Sequence, residues 1–375
     1  MQRRQLLGAA AVVPTLLAPS LATAQPPASV AKVRATPDRL IDLSVCTRPF
    51  RPQGPRLEVE RRFGKHLVHH YGHGGSGWSL SWGSARAVLP LILAARERRI
   101  AVIGCGVIGL TTARVAQQAG LKVRIYAKAR PPEVASSGAT GMWSPESRIC
   151  TEAHADAAFV ERWEAMARHS FKIHQSLLGL AAAPLEWRDG FVLSDVPFDQ
   201  PLAPVDDGEP DYPDLQSRIA DLHPHGAPLA PGEHPFRVPH VRRFTQLTFN
   251  IGHYQRLLLE DFFREGGEIV QREFGSPREL AGLSERCLVN CTGYGARALF
   301  GDDSLVPVRG QTARLIPQPE VDYLLLYRGH RLAMVPRRDG LLVQVQRPHD
   351  FGNGDVRVDR EESAAAVRLL ASVYA

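Results

Sequence analysis

Short apolar runs alternate with amphipathic stretches along this chain, and their periods predict the elements. Residues 100–103 (IAVI) are an unbroken apolar run between two arginines and a glycine loop, as expected of a buried strand. Residues 107–119 carry apolar and small positions at helical spacing, and 122–126 return to a strand pattern. Together these predict a β-α-β unit. The same reading gives strands over 66–71, 268–271, 287–290 and 341–346, and helices over 78–95, 155–180, 252–265 and 360–374. Residues 25–40 read as a linker leading into a strand. Residues 196–214, rich in Pro and Asp, read as an exposed loop. No internal repeat is present.

Composition narrows the function classes. At 375 residues, 44% hydrophobic and 22% charged, the chain has globular composition and enough length for two domains or one large one. No apolar run reaches the roughly 18–20 residues of a membrane span. The formal charge is +6, and the basic residues are scattered among acids, so there is no nucleic-acid stripe. The five cysteines (Cys46, Cys105, Cys150, Cys287 and Cys291) match no zinc spacing. His69, His70 and His73 have no carboxylate partner nearby in sequence, so no metal site is expected.

Residues 1–24 have the zones of an export signal. Arg3-Arg4 precede Gln5-Leu6-Leu7-Gly8, a moderately apolar stretch runs to Leu21, and Ala22-Thr23-Ala24 is a small-x-small cleavage site. The paired arginines resemble a twin-arginine signal. The expectation is export by the twin-arginine machinery, which carries folded proteins, and a periplasmic location.

The first strand runs into Gly104-Cys105-Gly106-Val-Ile-Gly109, a G-x-G-x-x-G loop that opens a helix. The first Gly permits the tight turn, the second lets the backbone approach a pyrophosphate, and the third lets helix and strand pack closely. The phosphates then face a helix N-terminus, which favours anions. The second strand ends Tyr126-Ala127-Lys128, where a ribose-binding Asp or Glu is expected. A lysine cannot accept the ribose hydrogen bonds. Either a 2′-phosphate (NADP) is favoured, or backbone groups hold the ribose.

Further motifs resemble the glycine oxidase/D-amino-acid oxidase family of FAD enzymes. Residues 70–85 (HYGHGGSGWSLSWGSA) are similar to its flavin-binding segment, and 102–110 (VIGCGVIGL) to its FAD loop. Residues 136–145 (SSGATGMWSP) are similar to its second flavin-contact loop and 289–293 (VNCTG) to its third. Arg309-Gly310-Gln311 resembles its RGQ strand start, and 48–53 (RPFRPQ) the segment carrying the substrate-binding arginine. The order is unusual. The RPFRPQ and YGHGG segments come last in the family but precede the glycine loop here, which looks like a circular permutation.

The resemblance implies an α/β (α+β overall) fold, with a Rossmann-like FAD-binding domain interleaved with a mixed-sheet substrate domain. The corresponding division is a substrate-domain strand within 25–50, FAD domain 51–150, substrate domain 151–240, FAD domain 241–302 and substrate domain 303–375. It also implies FAD held by Gly104, Cys105, Gly106, Gly109, Ala127, Lys128, Ser136, Thr140, Gly141, Met142, Phe274 and Thr292. Gly74, Gly75, Ser76, Gly77, Trp78 and Ser79 would lie against the isoalloxazine ring, offering backbone N–H groups.

The implied reaction moves hydride from the α-carbon of a small-molecule amino-acid substrate to flavin N5, with oxygen or another carrier as acceptor. Arg48 would clamp the carboxylate two-pronged, and Gly75 would lie beside the reacting centre. The family tyrosine that binds the carboxylate falls on Ala333, the lid is shortened to residues 327–331, and a family glutamine beside the flavin becomes Ser144. Tyr327 is the expected replacement hydroxyl. Three rivals stand beside an oxidase: a periplasmic dehydrogenase, a non-catalytic flavin-binding protein, and an NADP-dependent dehydrogenase motivated by Lys128.

Overall fold

The computed structural model describes residues 30–374. The expected export signal at 1–24 therefore lies outside the described residues. Two sheets form the framework of a mixed α/β fold.

The first is six-stranded. It contains β2 (Arg56–Arg62), β3 (Lys65–Tyr71), β4 (Arg99–Ile103), β5 (Lys122–Ala127), β9 (Glu268–Gln271) and β10 (Cys287–Asn290), in the order β2-β3-β10-β4-β5-β9. Only the edge strand β2 is antiparallel to its neighbour. The unbroken apolar runs of β4 and β10 follow from burial on both faces. Ile100 and Val102 pack under helices α1 (Gly77–Leu93), α2 (Val107–Gln118) and α4 (Ile251–Arg264), while Ala101 and Ile103 face a smaller core with Leu67, Tyr126 and Leu280. The loops after β3, β4, β5 and β10 all leave the same carboxyl edge of this sheet, where ligands of open α/β sheets bind.

The second sheet is eight-stranded. It runs β1 (Leu40–Phe50), β11 (Val306–Leu315), β14 (Gly340–Val345), β13 (Leu332–Arg337), β12 (Leu324–Tyr327), β6 (Leu185–Ser194), β8 (His240–Phe249) and β7 (Ala227–Leu229). All its pairs are antiparallel except β12 with β6. Helix α6 (Arg360–Ser372) covers one face, where Val367 and Leu370 join Met334, Val343 and Ala313. The opposite face turns toward the first sheet.

Two segments fall on the other side of the expected division. Helix α3 (Ala157–Ser176) lies against α1 and sends Phe159, Trp163 and Met166 into the first core. The approach is close: a Cβ at Gly83 would stand 2.0 Å from the Met166 carbonyl oxygen. Strand β8, from residue 240, belongs to the eight-stranded sheet because its ten residues pair throughout with β6.

The two ends of the described chain meet beside α6. The Tyr323 hydroxyl lies 2.6 Å from the Ala31 carbonyl and 2.7 Å from the Tyr374 hydroxyl. Arg237 N–H donates to the Val373 carbonyl at 2.8 Å.

Candidate active site

The glycine loop is built by close contacts. Gly104 has φ +109°, and a Cβ there would stand 2.5 Å from the Cys291 carbonyl oxygen; one at Gly109 would stand 2.1 Å from the Gly104 carbonyl. Gly106 differs: it caps α2 in an extended conformation, and a Cβ there would meet only Ser136 Oγ, at 3.5 Å. The first bond of α2 runs from Leu110 N–H to Gly106 at 2.9 Å, so its opening N–H groups face the loop mouth. Val107 N–H donates to Ser136 Oγ at 3.1 Å, and Trp78 Nε1 donates to the Ser136 carbonyl at 2.8 Å. Cys105 is buried, and burial pushes its thiol up to about 12, so it is not nucleophilic.

Neighbouring loops complete this edge. Arg272 N–H donates to the Ala127 carbonyl at 2.9 Å. Lys128 is 72% exposed and lies 3.5 Å from Glu273. That carboxylate beside the second-strand terminus is a ribose acceptor type that sequence reading placed nowhere. Phe274 stands edge-on to Tyr126 at 6.1 Å under the Arg272 guanidinium. Thr292 donates its N–H and hydroxyl to Asn290 Oδ1, and the Asn290 amide reaches His69 Nδ1 at 3.1 Å.

The second flavin-contact segment is tied to both sheets. Gly141, at φ +94°, accepts from Phe249 N–H at 2.7 Å, and Met142 bridges Thr248. Thr140 is half-buried beside them. Ser144 N–H donates to Ser79 Oγ at 2.8 Å.

One expectation about the YGHGG segment is corrected. Gly74 N–H donates to Pro49 at 2.9 Å and Gly75 N–H to Ser147 at 3.0 Å, while Ser76 Oγ donates to Ser147 at 2.8 Å. Those two glycines allow a close protein contact: a Cβ at Gly74 would stand 1.9 Å from the Arg148 carbonyl. Among the described residues the free N–H groups are those of Gly77, Trp78 and Ser79, because α1 begins with Leu80 N–H to Ser76. His70 and His73 share Ser84 Oγ at 2.6 Å each, and burial drives both imidazoles neutral, His73 to about 3. No group of metal-binding residues occurs among the described residues.

Arg48 lies on β1 opposite Val308, on the face turned away from α6. Its side chain makes one hydrogen bond among the described residues, from Nη1 to the Arg309 carbonyl at 2.9 Å, and no ion pair. Burial holds its pKa below the ordinary arginine value, with Cys46, Arg148, Asp350 and Glu209 as the nearby charges. Donors therefore remain for a planar anion. Arg148, at φ +49°, is held two-pronged by Glu209 at 2.7 and 3.0 Å. Gln346 also donates to Glu209. The ring of Tyr212 lies 5.9 Å edge-on from Phe50, and its buried hydroxyl, near Glu209 and Arg148, closes no well-formed hydrogen bond among the described residues. Sequence reading missed Arg148, Glu209 and Tyr212. The last two sit at the foot of the loop read as exposed, and the only signal was an aromatic between prolines in an acidic stretch.

Tyr327 does not join this group. It pairs with Leu332, whereas Ala333 pairs with Leu326, so the two positions face opposite sides of the sheet. The Tyr327 side chain packs in the α6 core and donates to Asp195 at 2.7 Å. Strand β12 is also four steps from β1, roughly 19 Å at about 4.8 Å per step. A cleft of about 650 Å³ on the α6 side includes Arg309, whose guanidinium is already satisfied by Glu362 and Gln311.

Comparison with known proteins decides the family. The model of the FAD dependent oxidoreductase (DAO) family matches residues 99–375. The chain belongs to that family. The D-amino-acid oxidase of Dictyostelium discoideum is 26% identical over 280 residues, 73% of each chain. That of Streptomyces coelicolor is 28% identical over 287 residues, 74% of this chain and 78% of its own. Glycine oxidase from Geobacillus kaustophilus superposes with a TM-score of 0.51 at 15% identity, over 74% of this chain and 79% of its own, a likeness of fold.

The DAO-family cofactor is FAD, and this carboxyl edge suits it. The space before Gly106 would be closed by a larger side chain, and the opening N–H groups of α2 suit a pyrophosphate. Glu273, beside Lys128 after the end of β5, is the carboxylate that would accept from a ribose there. The family match begins at Arg99, the first residue of β4.

Proposed function

We propose that this chain is a flavin-dependent oxidase of D-amino acids or similar small amines. The α-carbon of the neutral amine loses a hydride, leaving an iminium ion that water hydrolyses to the 2-oxo acid and ammonium. When bound, the flavin accepts the hydride and passes two electrons to oxygen, giving hydrogen peroxide, or to another carrier. The observation that carries this reading is Arg48. It is a buried guanidinium with one backbone partner and no carboxylate, beside the Pro49 carbonyl that holds Gly74 of the YGHGG segment. A bidentate clamp there would fix the α-carbon before hydride loss. The curated relatives named D-amino-acid oxidase support the substrate class. The test is peroxide release from the holoenzyme with D- and L-amino acids. Peroxide with D-forms only is expected; flavin-loaded protein inert toward every D-amino acid sinks the reading.

We also infer that the chain is a circular permutant of the family order. Three observations support this. The family match starts at β4, β3 sits in register beside β10, and Ala31 and Tyr374 both reach the Tyr323 hydroxyl. A variant that joins residue 374 to residue 30 and opens between 95 and 99 should fold and bind FAD. Failure to fold would contradict the inference. The pattern around Arg3-Arg4 supports twin-arginine export. Replacing both arginines by lysine should leave the protein inside the cell, and unaltered export would contradict that assignment.

A further inference from the structure

The family position for a carboxylate-binding hydroxyl is filled by Ala333, which has only a methyl group. We propose that Tyr212 donates the hydrogen bond to the substrate carboxylate that Ala333 cannot, an assignment that rests on the amino-acid oxidase reading above.

Four observations carry it. The Tyr212 hydroxyl is buried and closes no hydrogen bond of good geometry among the described residues, although Glu209 and Arg148 stand within its reach, so a well-placed ligand oxygen would complete it. Its ring lies edge-on to Phe50, 5.9 Å away. Phe50 is two residues along β1 from Arg48 and therefore on the same face. Its neighbours are Arg148, 5.9 Å from the ring, and Glu209. Burial and the Glu209 charge raise its pKa, so the phenol stays protonated and acts as a donor. Glu209 already accepts from Arg148 on two prongs and from Gln346, and no well-formed bond ties the Tyr212 hydroxyl to it, so Arg48 and Tyr212 are the two donors this face offers a carboxylate. Together they make one seat for one carboxylate. The segment carrying Tyr212 is anchored around that seat by Glu209 to Arg148, by Asp207 to Arg331 at 2.5 Å, and by Glu152 N–H to Asp211 at 2.9 Å. The loop thus brings a donor to the face where the sheet lost one.

The test is Tyr212→Phe in the FAD-loaded enzyme, with benzoate as a non-oxidisable carboxylate and benzamide as its neutral counterpart, both followed through the flavin absorption. Removing one hydrogen bond to a charged group should weaken benzoate about tenfold or more and leave benzamide and FAD content unchanged. KM for the oxidised D-amino acid should rise by a similar factor, with kcat changed less. Equal benzoate affinity in the two proteins overturns the assignment. So does equal weakening of benzoate and benzamide, which would mean a merely structural role, and so does failure of the parent enzyme to bind benzoate. The binding readout needs no turnover. Benzoate binding that depends on Tyr212, without reduction by any D-amino acid, would therefore refute the oxidase reading and leave the carboxylate seat standing.

Discussion

The Arg48 guanidinium lies face-on over Gly310, where a Cβ would stand 2.8 Å from Cζ and from both terminal nitrogens. The glycine of the RGQ segment thus makes room for the arginine across the β1–β11 pair. Gly310→Ala should push the guanidinium aside and raise KM for the substrate about tenfold or more, with FAD content unchanged. Arg48→Lys keeps the charge but loses the fork, and kcat/KM should fall about 100-fold, the worth of roughly 3 kcal/mol. Steady-state kinetics on flavin-loaded variants check both, and unchanged KM in Gly310→Ala would break the link between the two residues.

The loop glycines separate cofactor binding from folding. A Cβ at Gly106 meets only Ser136 Oγ at 3.5 Å, whereas one at Gly109 would strike the Gly104 carbonyl at 2.1 Å. Gly106→Ala should keep the melting temperature of the apoprotein and weaken FAD at least tenfold. Gly109→Ala should destabilise the fold itself by about 1–3 kcal/mol. Thermal melts paired with FAD titrations distinguish the two, and equal behaviour would contradict the division of roles.

Glu209 decides what Arg148 can bind. With its carboxylate clamped on Arg148 at 2.7 and 3.0 Å, a dicarboxylic substrate finds no second cation. Glu209→Gln leaves Arg148 without its counter-charge, so selectivity should move toward D-aspartate and D-glutamate over D-alanine by about tenfold. The ratio of kcat/KM values measures this, and a ratio unmoved or shifted toward D-alanine would show that Arg148 does not face the substrate side chain.

Buried histidines set an acid limit. Burial holds His73 and His174 at about 3, against 6.5 for an ordinary histidine. Between those values the unfolded chain binds more protons than the folded one, so stability is fully present above about 6.5 and falls as pH is lowered. Each histidine should remove roughly 2 kcal/mol between pH 7 and pH 5. Both His174 nitrogens lack partners among the described residues, so His174→Leu should fold and should reduce that loss by one histidine's share. Urea unfolding at the two pH values checks it; an identical loss in the variant would contradict the assignment.

The six-stranded sheet was largely legible because β4, β10 and β5 are buried on both faces or nearly so, and their apolar runs stand out from the flanking glycines and charges. The eight-stranded sheet was not. Strand β6 (LEWRDGFVLS) places half-buried Glu186, Trp187 and Arg188 in a row before exposed Asp189, and β8 (HVRRFTQLTF) exposes Arg242 and Arg243 side by side, so no period of two survives strongly, and only their mutual register defines them. The glycine loop and Arg48 were legible through motifs whose glycines answer a backbone need. Tyr327 misled because a strand's face depends on register with its neighbours. Tyr212 and Glu209 were missed because an acidic, proline-rich loop reads as solvated until tertiary ion pairs fold it back.

The most direct measurement is an anaerobic titration of the purified flavoprotein with D- and L-alanine, following the oxidised flavin band at about 450 nm. The account predicts bleaching by the D-enantiomer, little by the L-enantiomer, and at least 100-fold slower bleaching in Arg48→Lys. A band that persists with every D-amino acid, or bleaches equally well without Arg48, would contradict it.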